Sequence, residues 1–433
     1  PHEGWLTTPQ DFRAAAPEGR GWRMDAFYRH VRRRTGILME AGAYVGGRLS
    51  FDTENRKAWR GDPPAPRPPR FEPDAVTREV LDLVERQFAH HPGELRGASL
   101  PATQRDAETL WRWALQACLP YFGPFEDAMA SAEPGLFHSR ISPLLNVHRL
   151  LPARVVADVL EADVPLPSKE GFVRQILGWR EFVRHVHRET DGFRELPGVT
   201  AGAPLDAPGD GGYAAWAGAP WRPARGDAKR SSRGRSSNSA GGATPSALGA
   251  DAPLPPAYWG TPSGLRCLDL VVKDVWRDAW SHHITRLMVL GNLATLLDLS
   301  PRELTDWFWV AYIDAYDWVV EPNVLAMATY GAGETMITKP YVSGAAYIHK
   351  MSDYCGGCAF DPKKTCPITR LYWAFLARHE GALEGNVRLA MPLRSLGRRA
   401  PAERREDARV FGVVRAALAR GELLRPESLV RRP

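Results

Sequence analysis

The chain has 433 residues but only five cysteines, too few and too unevenly spread for a disulfide framework. That scarcity places its work in a reducing compartment, the cytoplasm. Long apolar runs are missing as well: the most apolar stretch, Trp307 to Val320, is cut by Asp314 and Asp317 and is too short to span a bilayer. No secretory signal is visible, and no internal repeat. Neither sign of charge dominates, since 56 Lys and Arg against 50 Asp and Glu leave +6. Such an excess permits an anionic partner such as nucleic acid without demanding one. The chain also lacks an initiating methionine and opens at Pro1, so the expectation is that an N-terminal piece precedes it, and organelle targeting is not legible. What is present in quantity is apolar and aromatic: 44% hydrophobic residues and 15 Trp among 10% aromatics. That composition supports a real core, excludes global disorder and suggests large buried aromatic surfaces or a ring-shaped cofactor.

The order of segments is mainly helical. Residues 1–60 mix turn signals with a basic helix from Met24 to Arg34. The run Gly61-Asp62-Pro63-Pro64-Ala65-Pro66-Arg67-Pro68-Pro69 cannot be helix or central strand, so 61–73 reads as a linker. Helical spacing then recurs. Val76, Val80, Val84 and Phe88 share one face, Ala107 to Cys118 form another stripe, and a third helix runs from Ser168 to His187. Residues 200–255 break the pattern; rich in Gly, Ala, Ser, Pro and Arg, they read as a disordered insertion acting as a solvated tether. Beyond it a single helix is expected from Leu268 to about Leu297. Ser300-Pro301-Arg302-Glu303 has the form of a capping box, and Ala402 to Leu424 reads as an Arg/Glu-rich helix with Val410, Val413, Val414 and Leu418 inward. The helical body thus spans 74–199 and 256–433.

Chemistry concentrates in a few places. Cys355-Gly356-Gly357-Cys358 is followed by Cys366, and three such thiols need a fourth ligand to complete a metal or cluster site. Cys118 lies on the apolar face of its helix, where an inert buried thiol is usual, whereas Cys267 at a helix start suits a ligand better. Spacing does not choose between zinc and iron–sulfur. His138-Ser139-Arg140-Ile141-Ser142-Pro143 offers hydroxyls and backbone N–H groups that suit a phosphate, although Ser-Pro is also an ordinary helix start. Gln175 to Phe182 joins Trp179, Arg180 and Glu181, fit for stacking and hydrogen bonding or simply for a core Trp beside an ion pair. His282 and His283, read as mid-helix, point about 100° apart and so cannot share a metal as an i, i+4 pair would. One of them suits a proton donor near neutral pH.

Taken in order, these segments resemble the photolyase/cryptochrome superfamily, and within it the iron–sulfur bacterial branch that includes prokaryotic (6-4) photolyases. The resemblance rests on HSRISPLLN at 138–146, QILGWREF at 175–182 and HHITRLMVLGN at 282–292. DWFWVAYIDAYDWVVEPNV at 306–324, TKPYVSGAAYIHKMSDYCGGC at 338–358 and LYWAFL at 371–376 complete it. Together they span about residues 20–195 and 256–400.

The resemblance implies a mainly α fold, an FAD-binding helical domain preceded, over residues 1–60, by the tail of a truncated α/β antenna domain. It places Ser139, Ile141, Ser142, Trp179, Glu181, Arg286, Asn292 and Asp314 around FAD, and Tyr341 and Tyr347 on the lesion side. Cys267, Cys355, Cys358 and Cys366 become ligands of a [4Fe–4S] cluster, structural or involved in DNA contact, and Cys118 becomes core. It implies light-driven repair of pyrimidine (6-4) photoproducts in UV-damaged DNA by electron transfer from photoexcited reduced FAD. His283 would be the acid and His282 its pocket-shaping neighbour. Trp307 and Trp259 would relay electrons, with Phe308 where a Tyr is expected. With most of the antenna domain absent, a lumazine antenna is not expected to bind. The expected species is a monomer with no membrane partner, associated with the nucleoid when on DNA. A cryptochrome-like blue-light receptor without repair activity is the alternative.

Overall fold

The structure, a computed structural model, describes residues 2–16, 21–196 and 242–430. Among these the only sheet is a two-stranded antiparallel ribbon, Met39–Glu40 with Ala43–Tyr44; the rest is helix and connection. No helix among the described residues is long and apolar enough to cross a membrane. The chain divides into two compact units. The core of the expected insertion lies in 197–241, outside the described residues.

The first unit comprises Pro1–Val186, Asp274–Arg286 and His349–Tyr354. Residues 1–60 are an integral part of it rather than a separate tail. Their helices, Pro9–Ala15 and Met24–Thr35, bring Phe12 and Phe27 against Phe182 with ring centroids 5.9 and 6.0 Å apart. The buried Arg32 guanidinium donates to the carbonyls of Ile37, Leu38 and Leu49, satisfying the polar backbone of the connection that follows. Asn55 Nδ2 reaches the buried Glu126 carboxylate at 2.8 Å, and Phe51 N–H donates to Glu170 at 2.9 Å. Burial of aromatic surface and closure of these polar groups therefore make one core of the two regions.

Helix Leu119–Phe125 packs closely on Leu166–Val173 because Gly123 has no side chain. A Cβ there would lie 2.7 Å from Ser168 N, and Gly123 N–H donates to Ser168 Oγ at 2.9 Å. The third expected helix is present, but Arg174–Arg180 is widened to a π-helical turn before α geometry resumes over Glu181–Glu189. In Ala75–Phe88 the apolar stripe faces solvent, with Val76 68% and Val80 51% exposed.

The second unit comprises His187–Lys273, Leu287–Ile348 and Cys355–Pro433. Helix Pro367–Arg378 packs against Pro401–Ala419 through Leu371, Phe375, Val410 and Val414, and Arg370 and Arg399 hold the buried Asp407 carboxylate between them. Residues 242–255, expected within the disordered insertion, are ordered here. Ala252 forms a bridge to Leu299 and Ala247 N–H donates to Gly331 O, so their backbone groups are paired rather than solvated. Ser300 caps helix Pro301–Ala311, but only one arm of the capping box forms, because Glu303 accepts from Leu254 N–H instead.

The helix expected over 268–297 is not continuous. Arg266–Asp278 stops at Ala279, whose φ of +49° cannot continue a right-handed helix. Helix resumes at His283–Thr285, widens into a π-helical turn over Arg286–Gly291 and ends as Asn292–Leu296. This break makes His282 an extended cap residue (φ −77°, ψ 165°) instead of a mid-helix one.

Candidate functional site

The break presents both histidines on a short turn of the first unit, closed by Arg286 Nε donating to Ser281 O at 2.8 Å. The turn meets the HSRIS segment directly. His138 stacks on His282 with ring centroids 4.4 Å apart and planes 6° from parallel, and meets His283 edge-on at 5.4 Å. Arg140, in a left-handed conformation (φ +59°), lays its guanidinium over the Trp280 ring at 4.9 Å. Burial holds His138 and His282 well below the usual imidazole range, with the neighbouring histidines and Arg140 acting in the same direction, so both rings are neutral. Both nitrogens of His282 and Nε2 of His138 are buried without a partner among the described residues. His283 differs: its side chain is 43% exposed and its Nε2 lies 3.8 Å from Asp127 Oδ1. Potential ligand atoms of the three histidines lie within 4.8 Å of one another. The face-to-face stack nevertheless makes the in-plane lone pairs of His138 and His282 parallel rather than convergent, which does not suit a shared ion.

Beside this cluster, Glu126 accepts from Asn55 and from Gln175 Nε2 at 2.8 Å, with Arg174 at 3.5 Å. Burial pushes its carboxyl up against the opposing pull of Arg174. Ser139 and Ser142 are half-buried and Ile141 is buried at the start of helix Ser142–Asn146. Trp179 is half-buried with its ring edge-on to Phe182. Glu181 is fully buried, and its carboxylate is already engaged. Oε2 accepts from Thr7 N–H at 3.0 Å and from Thr7 O–H at 2.6 Å, and Arg180 sits 3.3 Å from Oε1. Glu181 thus anchors the N-terminal segment, a tie between residues 174 apart that sequence reading could not find.

In the second unit Trp307 is fully buried, donates its indole N–H to Tyr258 O at 3.0 Å and packs edge-on against Tyr258 and Phe308. Trp259 is buried beside Tyr258 in sequence. Phe308 stacks on Tyr312 at 4.8 Å with planes 5° apart, so a phenol adjoins the position where the sequence carries Phe. Asn292 is buried and grips Ser343, accepting its N–H at 2.9 Å and donating to its carbonyl at 3.1 Å, while Ser343 Oγ is buried without a partner among the described residues. Asp314 is buried, and Tyr341 and Tyr347 are half-buried.

Cys118 is buried in the first unit, its thiol pushed up to about 12 by burial. Cys267, in the first turn of its helix, is buried. Its thiol is raised by burial and then by Cys366, Cys358 and Cys355. Burial likewise pushes the Cys366 thiol up to about 12. The five cysteines are all free. Burial raises the thiols of Cys267, Cys355 and Cys366, and a bound cation would stabilise them as thiolates.

Residues 1–100 match the family model for deoxyribodipyrimidine photo-lyase-related proteins. Over 398 residues the chain is 35% identical to a (6-4) photolyase of Agrobacterium fabrum, covering 90% of this chain and 69% of the relative. The chain belongs to the photolyase-related family. A shorter similarity, 33% over 66 residues, links 15% of this photolyase-related chain to 54% of the uncharacterised protein R855 of Acanthamoeba polyphaga mimivirus. A solved bacterial class III photolyase from Agrobacterium tumefaciens aligns with 72% of this chain and 56% of its own at 15% identity. Its TM-score of 0.40 is too loose to place individual residues. The chain therefore spans little more than half of that solved protein.

Sequence reading missed several residues of the histidine cluster and its surroundings. His138 lay inside a motif valued for its serines. Asp127, Glu126 and Trp280 carried no local signal, because only the fold brings them beside the histidine pair.

Proposed function

We propose that this photolyase-related chain binds UV-damaged DNA and repairs pyrimidine (6-4) photoproducts in light, using reduced FAD and carrying a [4Fe–4S] cluster. The observation that carries the reading is the unequal histidine pair. A (6-4) lesion requires a proton as well as an electron, and the pair offers one buried neutral imidazole, His282, beside one exposed imidazole, His283, facing Asp127. Family membership, with 35% identity to a (6-4) photolyase, supports the same assignment.

Ser139, Ile141, Ser142, Trp179, Arg286, Asn292 and Asp314 are the residues that would hold FAD. The buried Ser343 hydroxyl, gripped through its backbone by Asn292, is the kind of polar atom that a flavin edge satisfies. Glu181 serves that site indirectly, by fixing the helix that carries Trp179. Reduced FAD, when bound, supplies the photoexcited electron. His283 donates the proton, with Asp127 Oδ1 3.8 Å from its Nε2. His282 remains neutral and shapes the pocket, with Tyr341 and Tyr347 as lesion-side aromatics. Trp307 and Trp259 serve the resting reduction of the cofactor, and Cys267, Cys355, Cys358 and Cys366 hold the cluster.

The test is light-dependent repair of an oligonucleotide bearing one (6-4) photoproduct, with a dark control, using anaerobically purified protein of measured FAD and iron content. Repair in light alone, lost in His283→Ala at unchanged FAD content, is expected. Absence of repair by protein that holds reduced FAD would overturn the enzyme reading and favour a blue-light receptor.

A further inference from the structure

The three-histidine cluster carries an assignment beyond the pair itself. His282 is oriented by something other than hydrogen bonds, since neither ring nitrogen has a partner among the described residues. Its ring lies instead face to face with His138 at 4.4 Å. His138, by contrast, is held from several sides. Its ring hydrogen-bonds the Glu126 backbone, Phe122 meets it edge-on at 5.6 Å, its own N–H donates to Gly135 O at 3.0 Å, and Cys118 Sγ reaches its carbonyl at 3.8 Å. A ring braced from several sides thus stacks on a buried one that has no hydrogen bond to orient it, and the same braced ring meets His283 edge-on at 5.4 Å.

We propose that His138 is a positioning residue for the histidine pair, the plate on which His282 stacks and which sets the direction of both rings. The geometry stands on its own; its bearing on catalysis rests on the repair reading above. The charged and titratable groups facing the cluster are Arg140 and Arg286 toward His282, and Asp127 and Glu126 toward His283. A change in ring direction therefore alters which of these fields each histidine senses.

Three variants separate ring from hydrogen bond. His138→Phe keeps a stacking surface, His138→Asn keeps a polar donor without the ring, and His138→Ala keeps neither. The full chain loaded with FAD is assayed for light-driven repair, and ¹³C/¹⁵N-histidine spectra are titrated in the dark. His138→Phe should repair within about threefold of the parent, while His138→Asn and His138→Ala fall about 10- to 100-fold, the scale of a misplaced catalytic group. Lesion binding and FAD content should be unchanged. The His282 resonances should stay sharp in His138→Phe and become averaged in the other two. His138→Asn matching the parent, or His138→Phe falling as far as His138→Ala, would overturn the proposal. If His138→Ala fails to fold, the contrast between Phe and Asn decides alone. If the parent chain shows no repair, the enzyme reading fails while the spectra still decide the positioning role.

Discussion

Gly123→Ala is the sharpest test of how the first unit holds its site. The added methyl would stand 2.7 Å from Ser168 N, 2.9 Å from Ser168 Oγ and 3.0 Å from Pro167 C, so backbone rather than a pliable side chain must give way. Overpacking of this kind costs about 1–3 kcal/mol. Displacing the Gly123 N–H from Ser168 Oγ removes about another 1 kcal/mol, and the better helix propensity of Ala returns about 1 kcal/mol. The net is a loss of about 2 kcal/mol, or roughly 4–8 °C in melting temperature for a unit of this size. Phe122, which braces His138, moves with the helix, so light-driven repair should fall more than stability alone explains. Gly412→Ala is the control. It lies inside helix Pro401–Ala419, where an added methyl would meet nothing within 4 Å, and should gain about 0.5–1 kcal/mol. The two melts are followed by calorimetry. Equal melting temperatures for Gly123→Ala and the parent would refute the close-packing argument.

Further outcomes follow from the second unit. Trp307→Phe should slow light-driven reduction of oxidised FAD to a small fraction of the parent rate while repair by chemically reduced protein persists; Tyr312→Phe should slow it less, and absorbance under continuous illumination reads both. Burial raises the Asp298 carboxyl, but hydrogen bonds from His379 and Arg378 outweigh it and leave the group below its usual range. A carboxylate depressed in the folded state contributes stability above its unfolded value, near 3.9, that is lost as pH falls through the folded value. Urea midpoints should therefore drop below about pH 4. Asp298→Asn should lose about 1–2 kcal/mol at pH 7 and flatten that acid limb; an unchanged limb would remove Asp298 from the account.

Helical periodicity placed several of the longer helices, because an apolar stripe at 3.6-residue spacing is a local property of the chain. It failed where tertiary packing overrides local preference. The apolar face of Ala75–Phe88 is exposed, although its spacing is that of a core helix. The helix through His282 breaks at Ala279, whose positive φ no residue type announces. Residues 242–255 look solvated by composition yet find backbone partners at Leu299 and Gly331. Residues 1–60, read as the tail of an antenna domain, pack through Phe12 and Phe27 against Phe182, a contact no local pattern announces.

By itself the sequence determined the helical class, the family resemblance and the identity of the groups that can do chemistry, since each is written in composition, local spacing or motif. Only the tertiary structure decided what those groups do to one another. It stacked His138 on His282, faced His283 to Asp127 and committed Glu181 to Thr7. It also set the Cys267 thiol where burial and three thiols far along the chain raise it. Such pairings depend on burial and on contacts between distant segments, and burial, not residue type, decides whether an imidazole is neutral or able to carry a proton.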